Sequence, residues 1–464
     1  MATPDATVSF DAGDIAFVIS ATSITVLMVP GLALLYAGLV RRDAAVTSIW
    51  VCLIAALALA LHWFLFGYSL AFSETASNGF IGDYRHFVFA NIGLESPVNA
   101  RIPGLLYAFF QMEVCIVTGA IIAGVVAERG RPSPAALFLL CWATLVYCPM
   151  ACWTWSVNGW ARKWGVIDFA GGGPVEINSG FTALAYSWVL GPRHHRYPSS
   201  STLPLALGTS FLWLGWLGFN GGSALGASSQ AIVTCWNTNA AAISCAALWV
   251  ILEKYRRRVW SLTGCCFGLI TGMIASTSSA GVTPIWSSFI LGSVAALVCH
   301  SVLRFMDASG LDDTMGIFAM HGIGGCVGLM FNAVFASDDT SSSPGAANDK
   351  VQSVLFGHKY RQLYVQLAYV VACAGYSFGT SGLLAFAINY IPGLQLRVAK
   401  DVEDLGIDQQ LGEMPETSFF TNRWTIRPTE TSTESHTPRS EATAVGVDDG
   451  PNAKCLDPAL PPNH

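Results

Sequence analysis

Two residues of complementary acid–base character, Glu176 and His321, stand at matched places in the two halves of the sequence. Glu176 follows Asp168 by eight residues in D-F-A-G-G-G-P-V-E, and His321 follows Asp313 by eight in D-T-M-G-I-F-A-M-H. Both lie in stretches otherwise apolar enough to span a bilayer, where an unpaired charge costs roughly 2.5 kcal/mol or more. An acid at that depth is expected to have a partner, and an imidazole can hydrogen-bond to a carboxylate or exchange a proton with it. The match continues downstream. Gly180, Ala183 and Ser187 lie four, seven and eleven residues past Glu176, and Gly325, Gly328 and Asn332 lie at the same offsets past His321. Those offsets mark one helix face. Small faces let helices approach closely, as equivalent helices of an internal repeat do around a midplane site.

The elements that must hold this pair follow from composition. With 464 residues, 53% of them hydrophobic and only 12% charged, the chain is too apolar for a soluble globular domain and reads as an all-α polytopic membrane protein. The net charge of −6 is spread over loops and tail, and points to no nucleic-acid partner. Most of the 13 cysteines, among them Cys52, Cys115, Cys245, Cys265 and Cys266, fall inside apolar spans, so no disulfide framework is expected. The amino-terminal stretch lacks Lys and Arg and leads into a long span rather than a short signal-peptide core, so no removable signal is expected. No glycosylation sequon occurs. Neither a nucleophile constellation nor metal-ligand spacing is found; no enzyme activity, metal or cofactor is expected.

At about 20 apolar residues per crossing, helices are predicted near 14–40, 46–72, 104–127, 135–155, 172–190, 203–225, 229–252, 262–280, 285–305, 314–335 and 363–391. That gives eleven transmembrane helices: two inverted repeats of five, plus a final helix. Alternate short loops carry Arg41 and Arg42, Arg129 and Arg131, Arg193 and Arg196, Lys254 with Arg256 to Arg258, and Arg304. These loops are expected in the cytoplasm. Residues 1–13 are then extracellular, 14–391 form the membrane domain, and the carboxyl terminus is cytoplasmic. The stretch 392–413 mixes Leu394, Leu396, Val398, Leu405, Ile407 and Leu411 with charges and is expected to dock beneath the membrane domain. From 414 to 464 the chain is rich in Thr, Ser, Pro and acid and is expected to be disordered, either as a solubilising end or as a regulatory segment.

Further residues have two readings each. Trp153, Trp155 and Trp160, and Trp216 and Phe219 ahead of Ser223, fit an interfacial aromatic belt. They also fit a cage for a small cation with a hydroxyl in hydrogen-bonding reach. The acid–base pair below favours the cage. His62 and His300 have no matched partner and read as structural; Glu113, in F-F-Q-M-E-V, is intramembrane with no partner assigned. Asp168 and Asp313 precede helical runs and read as caps.

The chain resembles the ammonium transporter family (Amt, Mep and Rh proteins), and within it the fungal Mep permeases with glutamate at the first pore position. The resemblance runs over about residues 14–413, through M-V-P-G-L-A-L-L-Y-A-G-L-V-R, A-E-R-G-R, P-M-A-C-W-T-W, D-F-A-G-G-G-P-V-E, G-W-L-G-F-N-G-G-S, D-D-T-M-G-I-F-A-M-H-G-I-G-G and I-P-G-L-Q-L-R. It implies a homotrimer in the plasma membrane with one pore per subunit, and ammonium and methylammonium as substrates. It also implies that Phe110, Trp155 and Ser223 recruit the cation, that Phe219 gates, that Trp216 lines the pore, and that Glu176 and His321 are its central residues. Two positions depart from the commoner pattern: Glu176 replaces a histidine, and Val114 stands where a second gate phenylalanine is usual.

Bringing a hydrated cation into an apolar pore is costly, whereas neutral ammonia passes easily. The expected route is therefore binding outside, deprotonation, and passage of ammonia with the proton relayed by Glu176 and His321. A charged Glu176 holding the cation itself is the other route. A sensor signalling through the tail is the alternative function.

Overall fold

Runs of apolar residues with no interior charge form helices because a bilayer leaves backbone amides no other partner than their own chain. The computed structural model describes residues 9–195, 201–337 and 353–411. Eleven apolar helices follow one another through these residues: α1 (Ala12–Leu39), α2 (Arg42–Phe72), α3 (Gly104–Val126), α4 (132–155), α5 (172–190), α6 (Thr202–Gly222), α7 (Ser229–Arg257), α8 (Leu262–Thr277), α9 (Ile285–Ser309), α10 (Phe318–Phe335) and α11 (Arg361–Asn389). A short helix, α12 (Lys400–Leu405), follows. Residues 412–464, and with them the expected disordered tail, lie outside the described residues.

The packing repeats. In the first half α2 packs on α3 and α4; in the second, α7 packs on α8 and α9. The halves join through counterparts, α1 against α6 and α5 against α10. A membrane protein so built as two five-helix repeats has its shared seam where α5 meets α10.

Local departures from straight helices have identifiable causes. α1 breaks between Thr25 and Met28, one turn before Pro30, which has no amide to offer the Val26 carbonyl and crowds it. α8 ends at Thr277, earlier than hydropathy suggested, because the carbonyls of Thr277 and Ser278 are taken by the amides of Ala170 and Phe169 at 3.0 Å each. The expected start of α10 near residue 314 moves to Phe318, whose amide donates to Asp313 Oδ2 at 2.7 Å.

The segment following α11 is tied to one end of the bundle. The Val398 amide donates to the Arg129 carbonyl at 3.0 Å, and the Arg131 amide to the Leu396 carbonyl at 2.8 Å. Arg397 reaches the Leu190 carbonyl (3.0 Å) and Glu403 (2.9 Å), while Asp408 accepts from the amides of Val46 and Thr47 at the start of α2. Beside it, Arg193 clasps Asp312 through Nε and Nη2 at 2.8 Å each and also pairs with Glu128. The ends of α1, α3, α5 and α9 thus share one charged layer with the segment 396–408.

Candidate functional site

Glu176 and His321 each sit in a π-helical turn that opens a seam helix, Gly172–Ile177 in α5 and Phe318–Gly322 in α10. Such turns insert a residue into the helical ladder and re-aim the side chains they carry, at the cost of poorer backbone bonding. Both are braced from outside. Asp168 Oδ1 accepts from the amides of Gly171 (3.0 Å) and Gly172 (2.6 Å), Oδ2 from that of Gly173 (2.8 Å), and Tyr369 of α11 donates to Oδ2 at 3.2 Å. Asp313 braces α10 more lightly, its Oδ2 accepting from the Phe318 amide at 2.7 Å. Each carboxylate satisfies amides that the first helical turn leaves free.

The helices then cross in near backbone contact. A Cβ on Gly180 would overlap the backbone of Gly322, and one on Gly325 would press on Glu176 Cβ. Gly328 and Asn332 face elsewhere. Gly328 abuts Ala275 and Ser278 at the end of α8, and Asn332 donates to the carbonyls of Ser278 (2.7 Å) and Ile167 (3.0 Å). The small face of α10 therefore serves two neighbours, α5 above and α8 beyond.

This crossing puts His321 Nδ1 2.7 Å from Glu176 Oε2, with Glu176 0% and His321 3% exposed. Trp216 of α6 stacks on the imidazole at 6.3 Å between ring centres and 27° between planes, and its other neighbour is Phe219 at 6.4 Å. Trp216 Nε1 donates to Thr277 Oγ1 at 3.0 Å. A buried carboxylate and imidazole in direct contact share protons as a pair rather than titrating independently. Flanked by aromatic faces, such a pair can hold or accept a proton from a small cation.

The remaining sequence-derived residues lie on α3, at the end of α4 and at the end of α6. Phe110 is buried against Gly222, so its ring abuts the residue preceding Ser223. Ser223 donates to the Phe219 carbonyl at 2.9 Å. Trp155, half-buried, lies against Gly171, at whose φ of +112° a side chain would be strained and would meet the indole. Val114 is buried on the same helix as Phe110.

Other groups were not legible beforehand. His300, read as lacking a partner, has one: its Nε2 lies 3.0 Å from Glu253 Oε1, joining α9 to α7. Their separation of 47 residues carries no repeat signal. His62 contacts Thr144 at 2.9 Å. The Glu113 side chain, in a residue 6% exposed, makes no hydrogen bond among the described residues. Thr277 escaped notice because a hydroxyl at a helix end is common and no spacing marks it.

The family model for the Ammonium Transporter Family matches residues 16–416. Ammonium transporter 2 of Schizosaccharomyces pombe is 41% identical over 413 residues, covering 87% of this chain and 81% of its own length. Ammonium transporter MEP1 of Saccharomyces cerevisiae is 40% identical over 417 residues, covering 88% and 84%. Among solved structures, the crystal structure of Candida albicans Mep2 superposes with a TM-score of 0.80 at 38% identity, over 85% of this chain and 88% of that one. The chain belongs to the ammonium transporter family, as a multi-pass membrane protein.

Proposed function

We propose, from that membership, that the chain carries ammonium across the plasma membrane without chemically converting it, and that the Glu176–His321 pair is the proton-handling centre of its pore. The observation that carries this reading is the 2.7 Å contact of the two side chains at the α5–α10 seam, stacked under Trp216. Phe110, Trp155 and Ser223 recruit the cation, Phe219 gates, and Asp168 and Asp313 hold the two pore helices in place. Dehydrating ammonium beneath aromatic faces and passing it on as ammonia avoids carrying an ion through an apolar span. Glu176 and His321 take the proton: the N–H bond of ammonium breaks, an O–H or N–H bond forms on the pair, and both products leave on the same side.

The protein acts as a homotrimer with the amino terminus outside and the carboxyl terminus in the cytoplasm, where residues 392–413 dock beneath a membrane domain of 14–391 and 414–464 trail free. Methylammonium is a second substrate. The test is an ammonium-evoked current in a membrane reconstituted with the full chain, run beside radiolabelled methylammonium uptake. Uptake with net charge movement is the expected result; uptake of neither substrate, or equal competition by sodium or amino acids, would overturn the reading.

A further inference from the structure

Thr277 occupies the junction of three parts of the site. Its Oγ1 accepts the indole proton of Trp216 at 3.0 Å and donates to the Met273 carbonyl, one turn back on α8, at 3.0 Å. The same hydroxyl lies beside the Glu176 carboxyl, and Thr277 is fully buried. Glu176 is held through Oε2 alone: Oε1 is buried and has no hydrogen-bond partner among the described residues. The Thr277 backbone is fixed as well, its carbonyl accepting from Ala170 in the stretch leading to Asp168 and α5.

A hydroxyl has one hydrogen and accepts at two positions. With the Trp216 indole occupying an accepting position, the single O–H of Thr277 has two competing acceptors, the Met273 carbonyl and the Glu176 carboxyl, of which Oε1 is without a partner among the described residues. A threonine bonding back to its own helix gains little from doing so, while a hydrogen bond to a buried charged oxygen is stronger than one to a neutral carbonyl. The acceptor chosen therefore follows the charge on Glu176. We infer that Thr277 is a positioning residue of the conduction site, its hydroxyl turning from Met273 to Glu176 whenever the carboxylate is charged, so that the charged form of the Glu176–His321 pair is held by a second donor. His321 is the titratable group facing Glu176; Trp216, on the far side of the imidazole, does not titrate. This inference rests on the pore reading of the pair.

The test uses full-length protein reconstituted in vesicles, with ammonium-evoked current recorded across pH and methylammonium uptake measured at matched protein density. Thr277→Val keeps the side-chain shape and removes the hydroxyl; Thr277→Ser keeps the hydroxyl. The pH of half-maximal current is expected to move alkaline in T277V by about one unit, the size of one hydrogen bond to a charged group. T277S is expected to return it to the wild-type position. Comparing Thr277→Ala with Thr277→Ser repeats the measurement with the methyl absent from both, should the valine variant fail to assemble. Coincident profiles for wild type and the hydroxyl-free variants, or an equal shift in the serine variant, would overturn the role of Thr277. Wild-type protein giving no ammonium current or uptake at any pH would instead overturn the pore reading.

Discussion

His321 Nδ1 and Glu176 Oε2, 145 residues apart in the chain, meet at 2.7 Å on opposite sides of the α5–α10 seam. Removing one member leaves the other buried and unpaired, a change that typically costs about 3–5 kcal/mol. Glu176→Ala and His321→Ala are therefore expected to abolish or strongly alter ammonium flux, with the protein still reaching the membrane. The double variant should be less damaging than the sum, with a coupling of about 0.5–3 kcal/mol in a thermal-unfolding cycle. Normal transport by both single variants would remove the pair from the mechanism.

Docking of the segment after α11 separates two truncations. Deleting residues 395–464 discards Arg397, Glu403 and Asp408, and with them the bonds to Leu190, Val46 and Thr47. Transport is expected to fall. Deleting only 420–464 leaves every one of those bonds in place and is expected to be nearly silent in the same uptake assay. Equal losses would locate the effect in the distal residues instead.

Val114→Phe tests the proposed gate. The residue is 2% exposed, and the Phe110 ring one turn earlier abuts Gly222. An aromatic ring in place of the isopropyl group at 114 should raise discrimination against methylammonium relative to ammonium, at a stability cost of about 1–3 kcal/mol if the site is overfilled. The ratio of the two uptake rates at matched surface expression is the measurement. An unchanged ratio would place position 114 away from the pore.

The Arg193–Asp312 clasp carries a pH signature. Burial alone would raise the Asp312 carboxyl, but the hydrogen bonds and charge of Arg193, with Arg129 nearby, bring it down from 3.8 to about 2. A group depressed on folding stabilises the native state above its unfolded value, and that contribution fades as pH falls through the folded one. Asp312→Asn should then cost about 2 kcal/mol at neutral pH by this difference alone. The gap between variant and wild type should close between about pH 4 and pH 2. Thermal unfolding of the purified proteins at several pH values reads it directly; a gap independent of pH would mean that the ion pair contributes nothing.

Much of the architecture was legible because hydropathy needs only composition: the eleven apolar windows became helices, with ends shifted by a few residues. The seam was legible for a different reason. Duplication left Asp168–Glu176 and Asp313–His321 with one spacing, so a long-range contact was written as a local pattern. What stayed hidden lacks such a record. The π-turns under Glu176 and His321 depend on how α5 and α10 pack, and the end of α8 at Thr277 depends on Phe169 and Ala170 taking its carbonyls. Glu253 and His300 meet because α7 packs on α9, which no spacing announces.

Where Gly180 meets Gly322 no side chain lies between the two helices. The separation of the two backbones beside Glu176 and His321 is consequently set by the thickness of the polypeptide itself, a ruler that repacking of neighbouring side chains cannot lengthen by small steps. Any residue with a side chain at 180 must therefore either be refused or force the two helices apart, whereas Trp216, Phe219 and Thr277 present side chains that substitution can vary.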